Sequence, residues 1–120
     1  MPELKKIRET AMSFVENYES SHGRKKWKDV SSTKGIGYDI ESNGRKIEVK
    51  GTTKTWKMLR SQNVGITWTE THYSTHIYLV CDVLVKPDLH IIPMEKIPFK
   101  AIKVTYDLNM PIARDYEEIE

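Results

Sequence analysis

Apolar residues in the first part of the chain recur with helical spacing. Leu4, Ile7, Ala11, Phe14, Val15 and Tyr18 fall three and four apart, so they share one stripe and predict an amphipathic helix over Glu3–His22. Gly23 supplies its stop, because glycine takes the left-handed conformation that ends a helix without steric cost. The pattern then shortens. Lys26–Ser31 predicts a first strand with Trp27 and Val30 as packing residues, and Ser32–Gly37 is a turn-rich connection. Tyr38–Ser42 and Arg45–Thr52 read as two further strands, and Thr53–Gly65 has no clean period. Thr67-Trp68-Thr69-Glu70 fits a capping box and predicts a short helix to about Thr75. The β-branched run Ile77–Val85 reads as a buried strand, Pro87-Asp88 as a turn and Leu89–Ile92 as a strand. Ala101–Tyr106 has strand character, interrupted on either side by Pro98 and Pro111. The order α-β-β-β-α-β-β predicts one α/β domain over residues 1–120, a sandwich around a central mixed sheet.

The pair Asn43-Gly44 between two alternating runs is the sharpest local signal, since a type I′ turn needs positive φ at both central residues. That turn fixes a register: Ser42 faces Arg45, Glu41 faces Lys46, Ile40 faces Ile47, and Asp39 faces Glu48. Alternation then puts Asp39, Glu41, Lys46, Glu48 and Lys50 on one face, and Ile40, Ile47 and Val49 on the other. Paired residues have Cβ atoms roughly 4.5–5.5 Å apart, where like charges repel. Two carboxylates so placed are accommodated if a divalent cation lies between them, with the Lys50 ammonium beside it. The plainer reading is a surface charge ladder, moderated by Lys46 and Lys50. Gly35, Gly37 and Gly51 flank the site, as expected where a bulky ligand approaches backbone.

Composition narrows the classes. At 38% hydrophobic and 30% charged, the chain is globular rather than disordered. The single cysteine, Cys81, lies in an apolar run and reads as a core residue, and one cysteine makes no intrachain disulfide. No stretch reaches membrane-spanning length and no apolar signal core follows Met1, so a cytoplasmic protein without a membrane partner is expected. The net charge is only +2, yet eleven basic and four acidic residues lie between Arg24 and Arg60. This skew suits a polyanion, although a solvated basic face explains it equally simply.

These residues together resemble a known family. Gly37-Tyr38-Asp39-Ile40 followed by Ile47-Glu48-Val49-Lys50-Gly51 resembles the D…(D/E)XK signature of restriction-endonuclease-like, or PD-(D/E)XK, proteins. With Tyr18-Glu19, Gly23-Arg24, Asp29-Val30-Ser31, Ile66-Thr67, Glu70 and Ile77–Val80, the chain is similar to the domain at the C-terminus of NO VEIN proteins, and more distantly to Mrr-type restriction endonucleases. The likeness spans about residues 10–95. It departs from the name-giving motif at Tyr38, where the prototype has proline. The resemblance implies an αβββαβ restriction-endonuclease-like sandwich and Mg²⁺- (or Mn²⁺-) dependent hydrolysis of DNA phosphodiesters. It implies Asp39 and Glu48 as metal ligands with the Val49 carbonyl as a third, and Lys50 as the catalytic lysine. Families of this fold often add a glutamate from the first helix. Glu19 matches that position and lies at the edge of the apolar stripe, whereas Glu16 falls on the opposite side. A homodimer is expected if both strands are cut. The alternative is a nuclease-fold module with little or no cleavage, binding nucleic acid or a partner in a restriction or defence system.

Lys34, Lys54, Trp56, Lys57 and Arg60 are the candidate nucleic-acid contacts, with Trp56 free either to stack on a base or to fold back on the core. His72 and His76 would share a face of the short helix, but helix surface explains them better than zinc. His22 and His90 stand alone, and no Ser, Thr or Cys has a histidine base nearby.

Overall fold

The computed structural model describes residues 4–24, 27–32, 38–61, 65–69, 74–97, 99–100 and 105–118; for 65–69, 99–100 and 105–107 only the backbone is described. Helix α1 spans Leu4–Ser21 and ends as its sequence requires. Gly23 has φ +79°, and the Arg24 amide donates to the Glu19 carbonyl at 2.9 Å, the six-to-one bond of a Schellman cap.

Strands β1 (Trp27–Asp29), β2 (Ile40–Ser42) and β3 (Arg45–Gly51) form an antiparallel meander. Asn43 and Gly44 both have positive φ, 51° and 86°, and the hairpin takes the register that this turn dictates from Ser42–Arg45 to Ile40–Ile47. Helix α2 (Trp56–Ser61) carries the chain across to β5 (His76–Cys81), which lies parallel to β3, and β6 (Asp88–Pro93) returns antiparallel. The resulting sheet has five strands in the order β1-β2-β3-β5-β6. Counting only the strands of this sheet, the order is α-β-β-β-α-β-β, but its second helix is α2, in a segment where the sequence predicted no element.

Several elements differ from the sequence expectation. Where the predicted helix would begin, Thr67–Thr69 instead belong to strand β4 (Gly65–Thr69), paired along its whole length with β8 (Thr105–Asn109), and residues 70–73 lie outside the described residues. Its Ile-Thr-Trp-Thr run suits a pleated backbone, and pairing with a distant strand outweighs a capping box that is only a local signal. Glu70, the reciprocal half of that box, lies outside the described residues. With β7 (Phe99–Lys100) these strands make a second, three-stranded sheet in the order β4-β8-β7. Helix α2 falls in the segment without periodicity, where six residues are too few to show any. The strand from Ile77 ends at Cys81, because Asp82 takes φ +49° and opens a turn.

Each face of the large sheet carries its own core. On one, α1 packs Ala11, Met12 and Val15 over Ile40, Ile47, Tyr78, Val80 and Ile91. On the other, Leu59 of α2 joins Ile77, Leu79, Cys81 and Ile92 with Leu108, Met110 and Ala113, the last two in the 3₁₀ helix Met110–Tyr116. Burial pushes the Cys81 thiol up to about 12, in keeping with an inert core residue.

α1 approaches β3 most closely at Gly51. A Cβ built there would meet Ala11 Cβ at 3.0 Å, Ile7 Cγ2 at 3.1 Å and the Ile7 carbonyl oxygen at 3.2 Å. One of these neighbours is backbone and another is fixed by the helix, so neither can yield locally. Gly51→Ala is therefore expected to destabilise the fold by about 1–3 kcal/mol, read as a lowered midpoint in urea denaturation.

Candidate functional site

The site forms where β2 stops pairing with β3. The ladder ends at Ile40–Ile47, and the Asp39 amide donates to the same Ile47 carbonyl at 2.8 Å. Two residues of β2 thus oppose one of β3, in the manner of a β-bulge. Asp39 is not a ladder partner of Glu48, as the ideal register requires. Its side chain turns to the sheet edge, and Oδ2 accepts the Val49 N–H at 2.9 Å. A strand residue's N–H and C=O leave on the same edge, so the Val49 carbonyl faces the same gap.

Alternation along β3 places the neighbouring side chains. Val49 packs with the α1-side core, whereas Glu48 and Lys50 pair in register with Ile77 and Leu79 and so leave on the opposite face. Asp39, Glu48, Val49, Lys50 and Gly51 line one cavity of about 310 Å³, closed on the α1 side by Leu4, Ile7, Arg8 and Ala11. Lys50 Nζ lies 3.3 Å from Glu48 Oε1. Arg8 Nη2 lies 3.7 Å from Asp39 Oδ1. The Asp39 side chain is 15% exposed and that of Glu48 16%, so both are sheltered yet open to the cavity.

The donor chemistry fits a hard divalent cation. Asp39, Glu48 and Val49 all line the one cavity, and their carboxylates and backbone carbonyl are oxygen donors. Among the described residues no three His, Cys, Asp or Glu side chains gather to hold a metal. A site with two carboxylates matches Mg²⁺, which keeps several waters and relies on few protein ligands plus substrate phosphate.

Glu19 is placed elsewhere. It is fully buried, chelated by Arg24 through Nε to Oε1 and Nη2 to Oε2, both at 2.8 Å, and it accepts the Tyr78 hydroxyl at 3.0 Å. It does not line the cavity, which meets α1 only in its first two turns. The chain continues through Arg45, which donates to the Tyr78 hydroxyl at 2.9 Å and to Glu118 at 2.7 Å, and His76 Nε2 lies 3.2 Å from Glu118. Burial, and secondarily the Glu19 charge, raises the Tyr78 hydroxyl above its ordinary value. Glu16 is half-buried against Asp29 rather than solvated; burial first, then that neighbour, raises its carboxyl.

The candidate nucleic-acid contacts are spread out. Lys34 and His72 lie outside the described residues. Lys54 and Lys57 are exposed. Arg60 donates to the Pro111 carbonyl at 3.3 Å, tying α2 to the 3₁₀ helix. Trp56 stacks on His90 with centroids 3.7 Å apart and planes at 11°, so its ring serves packing. His90, unremarkable by sequence, is held between Glu117 and Asp88, the latter at 2.8 Å. His76 opens β5 rather than lying on a helix.

Arg8 is the site residue that the sequence reading overlooked. Its signal was a cation at helical spacing beside Leu4 and Ala11, on the border of the buried stripe.

The family model described as Protein NO VEIN, C-terminal, matches residues 7–92. The chain belongs to this family. The NO VEIN C-terminal match runs from α1 to β6, so it takes in the whole five-stranded sheet and the cavity beside Asp39. Neither the curated proteins nor the solved structures provide a match. No described helix is long and apolar enough to cross a membrane.

The buried network makes two predictions. Arg24→Ala would leave Glu19 charged without its partner and is expected to cost about 3–5 kcal/mol in urea denaturation, whereas Lys5→Ala, at an exposed pair with Glu9, should cost less than about 1 kcal/mol. Burial, then the Arg45 charge, holds His76 below its ordinary 6.5 despite Glu118. The unfolded chain therefore binds this proton more readily than the folded one. The stability His76 contributes is complete above about pH 6.5 and is lost as pH falls through the lower folded value. His76→Gln should flatten the fall in denaturation midpoint between pH 7.5 and 5.

Proposed function

We propose that the cavity beside Asp39 is the active site of a divalent-metal-dependent nuclease of the PD-(D/E)XK kind, acting on DNA phosphodiesters. The observation that carries this reading is that Asp39, Glu48, Val49 and Lys50 line one sheltered cavity where β2 stops pairing with β3. Asp39 and Glu48, with the Val49 carbonyl, would hold Mg²⁺ or Mn²⁺. When bound, the ion would polarise the phosphate and acidify water. Asp39 is held for this task by the Val49 amide, which fixes Oδ2 while Oδ1 stays directed at the cavity. Lys50, offset by Glu48, presents an ammonium that orients the attacking water and balances charge building on the phosphoryl oxygens. Water oxygen bonds to phosphorus as it loses a proton, the P–O3′ bond breaks, and the leaving O3′ takes up a proton, so that a 5′-phosphate and a 3′-hydroxyl result. Among the described residues there is one such site, so cutting both strands would take two copies.

Purified protein with Mg²⁺ or Mn²⁺ is expected to nick supercoiled plasmid DNA, and chelation should stop it. Asp39→Asn and Lys50→Ala should each lower the rate on the order of 100-fold or more. DNA binding that survives both substitutions and chelation, with no nicking by the wild type, would replace this reading with that of a nucleic-acid-binding module.

A further inference from the structure

The chain's own cation in the cavity is not confined to Lys50. Arg8 reaches the gap from the first turns of α1, which forms that wall among the described residues, and its side chain is 64% exposed. Among the described residues its one close polar contact is the 3.7 Å approach to Asp39 Oδ1, which is an ion pair without a hydrogen bond. Such an exposed pair is easily exchanged for another anion. Asp39 does not depend on it for its position, because its other oxygen is already fixed by the Val49 amide.

Two other guanidinium groups, those of Arg24 and Arg45, are held differently. Arg24 is spent on Glu19, and Arg45 on Tyr78 and Glu118, each through two hydrogen-bonded donors and in sheltered surroundings. Arg8 retains its planar donor fork, which matches two oxygens of a phosphate. It also borders the neighbouring cavity that contains Asp29 and Ser31, so it stands at the rim between two openings instead of inside either. A long side chain there has room to swing.

We infer that Arg8 is a phosphate-binding residue of this site, resting against Asp39 when no ligand is present and moving to a backbone phosphate of the nucleic acid when Asp39 engages a metal. The inference rests on the active-site reading above and adds the residue that receives the substrate. Two consequences follow from the exchange. In the resting protein Arg8 competes with a cation for Asp39, so removing it should not weaken metal binding. In the complex it neutralises one phosphate, so removing it should weaken DNA binding at every sequence.

The test measures the two separately on the intact chain. Mn²⁺ binding is followed by calorimetry without DNA. Binding of a short DNA duplex is followed by fluorescence anisotropy over a range of salt, with Ca²⁺ replacing Mg²⁺. Arg8→Gln is expected to bind Mn²⁺ as well as the wild type or about two- to fivefold more tightly. Its DNA affinity should fall about tenfold, and the slope of log affinity against log salt should shrink by about one. Arg8→Lys should recover the salt slope, and Lys5→Gln on the exposed side of the helix should change neither quantity. Loss of Mn²⁺ binding in Arg8→Gln would overturn the inference by making Arg8 a support for Asp39, as would unchanged DNA affinity. If the wild type itself binds no Mn²⁺, and Asp39→Asn behaves identically, the active-site reading falls and takes this inference with it. That failure is distinguishable because it shows in the wild type, before Arg8 is altered.

Discussion

The Val49 amide is a strand donor that β2 does not meet with a backbone carbonyl, and Asp39 Oδ2 accepts its hydrogen instead. This side-chain-to-backbone bond has two effects at once. It satisfies a donor at the point where the ladder stops, which a sheltered strand otherwise could not leave unpaired. It also holds a carboxylate at the sheet edge, with one oxygen engaged and the other directed outward. The bulge at Asp39–Ile40 is what makes this possible, since both amides converge on the strand position of Ile47 and the side chain is turned out of its regular alternation. Without that break, Asp39 would stand directly over Glu48, with two like charges in contact and no free oxygen at the edge.

Two sets of charged residues meet β3 and β5, and their surroundings separate their roles. Glu19, Arg24, Tyr78, Arg45 and Glu118 form a continuous chain in which every link is a close hydrogen bond or ion pair and the Glu19 carboxylate has no exposure. A buried charge so fully matched has nothing left to offer a ligand, and it ties the end of α1 to the sheet and to the C-terminal segment. Asp39, Lys50 and Arg8 are the reverse case. Their contacts are longer, 3.3 and 3.7 Å for the two ion pairs, and they face open volume. The same residue types therefore give rigidity in one place and available chemistry in the other, according to how completely they are satisfied.

This difference also explains what the sequence could and could not reveal. The Asn43-Gly44 turn is a strictly local event, so its φ values and the first three pairs of the hairpin followed directly from the residues. From there the alternation put Ile40, Ile47 and Val49 together on one face, and all three meet in the core on the α1 side. The bulge at Asp39 has no local signature, and the exact pairing with Glu48 was lost there. Glu19 was legible as a residue at the edge of the apolar stripe but not as half of a buried pair, because Arg24 joins it only after the Schellman cap reverses the chain. The strand β4 illustrates the opposite failure: Thr67 to Glu70 satisfies a local helix rule, and a partner forty residues away decides otherwise. Local chemistry was readable, and long-range pairing was not.

The placement of Arg8 finally depends on a feature with no charge at all. α1 can bring a side chain to the end of β2 only if its first turns lie almost against β3, and the absence of a side chain at Gly51 permits that approach to Ile7 and Ala11. Arg8 follows Ile7 directly, so the contact that seats the helix also sets the reach of the guanidinium. The wall of the cavity and the cation on it are thus consequences of one packing event. A helix displaced outward by even a methyl group would widen the gap beside Asp39 and carry Arg8 away from it, although neither residue had been touched. Packing on the α1 side of the sheet and electrostatics at its edge are, in this fold, the same constraint seen from two directions.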